Sequence, residues 1–302
     1  MKHAVWTQWE DIAVPDGIER LTPTSTPLDI SDLSKITFYV PSYMEGRRAL
    51  EYVKSMPNLK VLQMPNAGYE DALEYLRPGL TLCNGRGIHN DSTAELAVGM
   101  AIASLRGFPR FVLSQSQGKW DPAQFRSIND RKIGIVGFGA IGQTIARNLS
   151  GFDVEVIGFS RSGRDGAVKI KNFDDYLPSL DVVILIMPLN DESHRFFDAR
   201  RFALLKTGAL LINVARGAII DTDALLAELR TGRITVALDV TDPEPLPPDH
   251  PLWKEAGVFI TPHVGGNSSA FEPRARRLIE SQLIRLAASQ PLENVVAQGR
   301  DQ

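Results

Sequence analysis

Arg131-Lys-Ile-Gly-Ile-Val-Gly-Phe-Gly-Ala-Ile-Gly-Gln-Thr-Ile-Ala-Arg147 is the stretch that decides the fold. Ile133, Ile135 and Val136 read as a buried strand. Ile141, Ile145, Ala146 and Leu149 recur at helical spacing, so strand passes to helix across Gly137-Phe-Gly-Ala-Ile-Gly142. In that setting each glycine has a reason: Gly137 allows a tight turn, Gly139 lets phosphates approach the backbone, and Gly142 lets the helix pack on the strand. The N–H groups at the helix start, around Ala140 and Ile141, are then free to bind an anion. The glycine spacing alone is weak evidence, but a strand before it and a helix after it make it a dinucleotide-binding signature.

Outward from this stretch, 302 residues are too many for one small core, and the usual domain size suggests two. With 43% hydrophobic and 23% charged residues the composition is that of an ordinary globular protein. A net charge of −3 without a basic block argues against a nucleic-acid partner. Cys83 is the one cysteine, which excludes an internal disulfide and fits a reducing compartment. The first ten residues lack the apolar core of a signal peptide, and no run reaches membrane-span length, so a cytoplasmic location without membrane contact is expected.

Before the glycines, Ala4–Trp6, Ile36–Val40, Val61–Met64 and Leu80–Cys83 are short apolar runs separated by helix-like pieces at Gly46–Ser55 and Tyr69–Leu76. Such alternation implies a parallel sheet covered on both faces. Leu21–Pro27 breaks it and reads as loop. Ser92-Thr-Ala-Glu95 reads as a capping box opening a helix through Leu105. That helix has no polar face and is expected to be covered all round, as a core helix between domains or at a subunit interface, until Gly107 and Pro109 end or bend it. Strands are expected near Lys132–Val136, Val154–Gly158, Val182–Met187, Ala209–Val214, Ile234–Leu238 and Val258–Thr261. Helices are expected near Ile141–Ser150, Ala199–Leu205, Thr222–Arg230 with Asp221 as N-cap, and Phe271–Ser289.

The residue ending the second strand of such a unit contacts the adenosine ribose, and a carboxylate there would hold its 2′-hydroxyl. Here the strand runs into Ser160-Arg-Ser-Gly-Arg164. Arg161, helped by Arg164 and by hydrogen bonds from Ser160 and Ser162, suits a 2′-phosphate, which favours NADPH while leaving NADH possible. The alternative is that both arginines are solvated loop residues.

Three polar stretches follow at expected strand ends, where ligands of open parallel sheets bind: Asn213-Val-Ala-Arg-Gly217, Leu238–Leu246 and Thr261–Gly266. Reduction of a carbonyl leaves negative charge on oxygen, which a histidine can protonate while an arginine holds an acid substrate. A carboxylate beside the imidazole favours its protonated form. This chemistry selects Arg216, Glu244 and His263. Singly, a structural arginine, a loop glutamate and a core histidine would be the simpler readings; together at strand ends they form a site. His3 and His250 look exposed, His194 reads as a loop residue, and His89 falls at the expected domain crossing. No spacing of histidine, cysteine and carboxylate suggests a metal.

Taken together, Thr93-Ala-Glu-Leu-Ala97, Gly118-Lys-Trp120, the glycine turn, Asn213–Gly217, Asp239–Pro245 and Thr261-Pro-His263 closely resemble the D-isomer-specific 2-hydroxyacid dehydrogenase family, from about Val61 to Ala270. The resemblance implies an α/β protein of two Rossmann-like, doubly wound domains. A cofactor domain, 91–265, is inserted into a flavodoxin-like substrate domain formed by 1–90 and 266–302, with a homodimer through the inserted domain. It makes Arg216 the catalytic arginine, His263 the acid/base and Glu244 its partner. It further implies that Asp239 holds the nicotinamide carboxamide, that Pro188 and Leu189 pass the adenosine, and that Val214 and Ala215 belong to the cofactor site. Asn66-Ala67-Gly68 would receive the substrate carboxylate on backbone N–H groups, and Pro41–Met44 would shape the pocket. The end of the chain 39 residues beyond His263 suggests no regulatory extension, and Thr241 stands where an aromatic residue is common. Glutamate at 244 sides with the hydroxyacid enzymes, because the formate-oxidising members carry glutamine there.

The expected activity is NADPH-preferring reduction of small 2-oxo acids, glyoxylate and hydroxypyruvate first, to D-2-hydroxy acids. Two rivals remain. One is an NAD-linked 2-hydroxyacid, phosphoglycerate or phosphite dehydrogenase. The other is a nucleotide-sensing corepressor that keeps the fold and uses the cofactor to control assembly.

Overall fold

The computed structural model describes residues 3–21, 30–43 and 45–299. It divides into two compact units, 1–89 with 269–302, and 90–268. The first begins with β1 (His3–Trp6) and β2 (Ile18–Arg20). It continues through a short helix α1 (Ile30–Leu33), β3 (Phe38–Tyr39), α2 (Arg47–Leu50), β4 (Val61–Gln63) and β5 (Thr81–Cys83). All five strands pair in parallel in the order β5-β4-β3-β1-β2. Reading 2-1-3-4-5 from one edge, this is the flavodoxin-like winding.

The second unit starts with α3 (Asn90–Leu105) and α4 (Phe108–Ser116), which meet at a 67° bend. Gly107 makes the bend, with a left-handed φ of 68° and the Phe125 ring packed where a Cβ would stand. Then come β6 (Arg131–Val136), α5 (Ala140–Leu149), β7 (Val154–Ser160), β8 (Val168–Lys169), α6 (Phe173–Tyr176), β9 (Val182–Leu185) and α7 (Ala199–Leu204). The unit closes with β10 (Leu210–Asn213), α8 (Thr222–Leu229), β11 (Thr235–Leu238) and β12 (Val258–Ile260). Its seven strands are parallel in the order β12-β11-β10-β9-β6-β7-β8. The winding reverses between β6 and β9, the switch point at which Rossmann sheets bind dinucleotides.

Side chains alternate across a strand, and this sorts the second core into two layers. Val183 and Leu185 of β9 pack with Val136, Phe159, Leu211 and Val236 on one face. Val182 and Ile184 pack with Ile133, Ile135, Ile212, α3 and α5 on the other. Each such side chain, withdrawn fully from water, is worth about 1.5–3 kcal/mol. This is why these strands read as unbroken apolar runs.

Back in the first unit, α9 (Phe271–Ala287) lays Phe271, Ala275, Ile279 and Leu283 against Val5, Phe38, Val40, Val61 and Cys83. β13 (Val295–Gln298) then adds an antiparallel edge beside β5. Neither β13 nor the two short strands β2 and β8 is visible in the sequence, because their two to four residues carry no distinct period.

Several local expectations need correction. Ser92 is no N-cap: α3 already begins at Asn90, and the Ser92 hydroxyl donates to Ser268 Oγ at 2.7 Å. Within its own unit α3 lies against α5, β10 and β11, which covers one side of the apolar helix and leaves its expected interface role untouched. The helix-like pieces at 46–55 and 69–76 are mostly tighter 3₁₀ turns, Glu51–Ser55 and Glu70–Tyr75. β7 runs on to Ser160, two residues past the expected end. His3 and His250 are half-buried rather than exposed, His3 beside the Thr37 hydroxyl at 3.2 Å and His250 accepting from Leu252 N–H. Most of the 21–27 loop, and Met44 of the 41–44 pocket segment, lie outside the described residues. Asp221 does cap α8, its carboxylate accepting from Ala224 N–H at 3.1 Å.

Candidate active site

The glycine turn joins β6 to α5 at the switch point. Gly137 has a φ of 106°, and a Cβ there would lie 2.6 Å from the Ile186 backbone. A Cβ on Gly142 would meet Ile135 Cγ2 at 3.3 Å and run into the Gly137 carbonyl. Helix and strand thus approach closely because both side chains are absent. At Gly139, by contrast, an added Cβ would meet nothing within 4 Å, so the mouth of the turn is open. The first helical bond runs from Gln143 N–H to the Gly139 carbonyl, leaving the N–H groups of Ala140, Ile141 and Gly142 at the positive end of α5. An open mouth over a helix start, with a backbone drawn tight by two glycines, fits a pyrophosphate.

Beyond β7 the Ser160 hydroxyl accepts from Gly163 N–H at 3.0 Å, and Ser162 from Arg164 N–H at 3.3 Å, so both serines shape the loop. Arg161 is exposed, with its Nε 3.9 Å from Glu192. Glu192 lies in the turn after Pro188, whose carbonyl accepts from the buried Ser193 hydroxyl at 2.7 Å. Sequence reasoning did not pair Arg161 with Glu192, which is 31 residues away with no local pattern to reveal it.

At the ends of β10 and β11 the backbones touch. A Cβ on Gly217 would fall 2.6 Å from Asp242 N and closer still to the Thr241 carbonyl. Glycine after Arg216 therefore lets two loops meet. Asn213, fully buried, secures the first loop by donating to the Arg216 carbonyl at 2.9 Å and accepting from Ala215 N–H at 3.1 Å. Val214 and Ala215 are buried beneath it. Arg216 is half-buried and donates from Nη1 to the Ala215 carbonyl at 2.7 Å.

Glu244 follows on the second loop, where Asp242–Pro243 and Glu244–Pro245 are cis. Its Oε1 lies 2.5 Å from His263 Nδ1. The hydrogen bond from His263 is the main reason the Glu244 carboxyl is held below its usual range, with the His263 and Arg216 charges adding to it against partial burial. The same bond raises His263 above the ordinary histidine value, opposed by burial and by the Arg216 charge. The pair thus favours a carboxylate and an imidazolium, with the other ring nitrogen, Nε2, available to give up a proton.

His263 has a left-handed φ of 52°, a conformation costing a side-chain-bearing residue about 1–3 kcal/mol. Asp239 holds it there. Its carbonyl accepts from His263 N–H at 2.8 Å, while its buried carboxylate accepts from Thr261 Oγ1 at 2.6 Å and from Val264 and Gly265 N–H at 2.9 Å each. Both carboxylate oxygens of Asp239 are engaged in shaping the loop that carries the histidine. Thr261 enters the site by this route as a supporting residue.

Arg216, Asp239, Glu244 and His263 therefore gather in one unit, as do the glycine turn and the 160–162 loop. Asn66, Ala67 and Gly68 belong to the first unit, directly after β4. His194 is exposed, and His89 is buried in the first unit, stacked on Phe271 with ring centroids 5.3 Å apart.

Residues 98–265 match the family model of the D-isomer specific 2-hydroxyacid dehydrogenase NAD binding domain. The chain is 34% identical to a glyoxylate reductase from Thermofilum pendens over 241 residues, 75% of this chain and 70% of that one. It is 29% identical to a D-3-phosphoglycerate dehydrogenase from Archaeoglobus fulgidus over 82% of its own length, but spans only 49% of that longer protein. Among solved structures it resembles an NADPH-dependent glyoxylate/hydroxypyruvate reductase from Sinorhizobium meliloti, crystallised with NADP and sulfate. There the TM-score is 0.81 and the identity 25%, over 98% of each chain. With its sequence match across more than half its length, the chain belongs to the D-isomer specific 2-hydroxyacid dehydrogenases, a family of nicotinamide-dependent oxidoreductases.

Proposed function

We propose that the protein reduces small 2-oxo acids, glyoxylate and hydroxypyruvate foremost, to D-2-hydroxy acids with NADPH in preference to NADH. The observation that carries this reading is the His263–Glu244 pair, 2.5 Å apart, whose hydrogen bond favours the protonated imidazole. A bound dihydronicotinamide supplies the hydride. His263 delivers its Nε2 proton to the carbonyl oxygen as negative charge develops there, and Glu244 stabilises the imidazolium before transfer. Arg216 polarises the carbonyl and holds the acid. The backbone N–H groups of Ala67 and Gly68 receive the carboxylate.

Gly137, Gly139, Ala140, Ile141 and Gly142 cradle the pyrophosphate, Pro188, Val214 and Ala215 line the nucleotide, and Asp239 orients the carboxamide. Ser160, Arg161 and Ser162 take the 2′-phosphate. Support for NADPH lies in the absence of a carboxylate at the end of β7, where Arg161 stands instead. Glu192, 3.9 Å from Arg161, offsets part of that charge and keeps an NAD-linked dehydrogenase as the second reading. Support for a homodimer through the second unit comes from α4, which exposes Phe108, Val112 and Leu113, and from the nearly bare Trp120 beyond it.

The test follows NADPH and NADH absorbance in parallel across a panel of 2-oxo acids. His263→Ala is expected to lower turnover by ~10²–10⁴. Near-normal turnover in that variant, or steady oxidation of NADH alone, would defeat the reading.

A further inference from the structure

The chain leaves β4 through Met64 and Pro65 and turns at Asn66, Ala67 and Gly68. Both peptide carbonyls of this turn point at the segment leaving the neighbouring strand β5. The Asn66 carbonyl accepts from Gly85 N–H at 2.7 Å, and the Ala67 carbonyl from Asn84 Nδ2 at 2.8 Å. Neither peptide is cis. In a trans peptide the carbonyl and the N–H that follows it point in opposite directions. The N–H groups of Ala67 and Gly68 therefore face away from residues 84–85, on a common side, and neither has an acceptor among the described residues. Successive N–H groups presented together form a concavity for an anion.

The clamp is itself fixed. Arg86 N–H donates to Asn84 Oδ1 at 3.3 Å, which sets the side-chain amide with its nitrogen toward Ala67. The Asn84 N–H donates to the Asn294 carbonyl, and its own carbonyl accepts from Gln63 Nε2, each at 3.0 Å. Gln63 is fully buried and accepts from the equally buried Gln282 of α9 at 2.8 Å. Gly85 allows the approach, since a Cβ there would stand 2.8 Å from Asn66 N and from the Pro65 backbone.

We propose that Asn84 and Gly85 are positioning residues, which hold two consecutive peptides so that the Ala67 and Gly68 N–H groups stand ready for the substrate carboxylate. This rests on the assignment of the carboxylate to that turn. Asn84 touches no reacting atom; it acts through the orientation of the Ala67–Gly68 peptide.

The test variant is Asn84→Asp, which keeps the size and the oxygen facing Arg86 N–H but sets a second oxygen against the Ala67 carbonyl. The freed peptide is expected to raise KM for glyoxylate about ten- to a hundredfold. Turnover at saturation and NADPH affinity by fluorescence titration should change little. The preference for a 2-oxo acid over its uncharged methyl ester should fall by the same factor as KM rises, whereas general damage to the fold would lower both substrates alike. Asn84→Ala, which removes the donor without the repulsion, gives the same pattern with a smaller change and serves if the aspartate variant does not fold. An unaltered acid-to-ester preference in a folded Asn84 variant overturns the proposal. Ala67→Pro and Gly68→Pro, each removing one N–H, separate the two possible failures. If they abolish the acid preference while the Asn84 variants do not, only the positioning role falls. If they also leave the preference intact, the carboxylate assignment falls, and the proposal with it.

Discussion

Gly217 offers a direct test of whether the Arg216 and Glu244 loops work as one surface. An alanine Cβ at 217 would lie 2.6 Å from Asp242 N, 0.8 Å inside the 3.4 Å at which ordinary contact begins, and it would press harder on the Thr241 carbonyl. Both obstacles are backbone, so a rotamer change cannot relieve them. One loop must retreat by at least that 0.8 Å, and each carries a proposed catalytic group within two residues of the clash. Overpacking of this kind costs about 1–3 kcal/mol of stability. A misplacement near 1 Å is enough to cost about 10²-fold in rate. Gly217→Ala is therefore expected to lower kcat/KM for glyoxylate by about that factor. NADPH affinity should fall by less than kcat/KM, because the 137–142 turn proposed to take the pyrophosphate is untouched while Val214 and Ala215 sit on the displaced loop. Steady-state kinetics with a parallel cofactor titration and a thermal melt reads all three quantities. A folded variant with kcat/KM within about threefold of wild type would refute the idea that loop contact sets the position of Arg216 and Glu244.

Glu244→Gln should move the alkaline limb of reductase activity to lower pH, because the raised His263 pKa is lost with the carboxylate; an unmoved limb would separate the pair from proton delivery. The same pair makes stability depend on pH. The His263 contribution is complete below 6.5 and disappears as pH rises through its raised folded value, while that of Glu244 is complete above 4.5 and disappears as pH falls through its lowered one. The variant should accordingly lose most stability, relative to wild type, between those values in melts run across pH. Arg161→Ala should weaken NADPH about ten- to a hundredfold and NADH little. Glu192→Gln should tighten NADPH by up to about fivefold by freeing that arginine. Equal changes for both cofactors, read in the same binding titrations, would remove the 2′-phosphate assignment. If the proposed dimer forms through α4, Leu113→Glu on its exposed face should give a monomer in light scattering where the wild type is a dimer, and a dimeric variant would overturn that interface.

The central strands β6, β9 and β10 of the second sheet were legible because each is a run of largely buried apolar residues, a pattern held within four to six neighbouring positions. The glycine turn was legible for a similar reason, since its period switches from strand to helix across six residues. Short edges such as β13 were not, because pairing with β5 rather than local pattern makes Val295–Gln298 a strand. The capping-box reading of Ser92 failed because tertiary contact with Ser268 outweighed a local cap preference.

For the site the division is sharper. Chemistry and order along the chain were enough to single out Arg216, Glu244 and His263 as candidates, and to set Arg161 after the second Rossmann strand. Only the folded structure brings His263 Nδ1 to 2.5 Å from Glu244, commits both oxygens of Asp239 to the loop behind that histidine, and sets Glu192 beside Arg161. It alone shows that Gly217 has no room for a side chain and that Asn84 and Gly85 grip the turn after β4. Sequence by itself determines residue types and local periods, because these depend on near neighbours. Distances between groups 19 or more positions apart are decided by how strands register and loops meet, which no local pattern encodes.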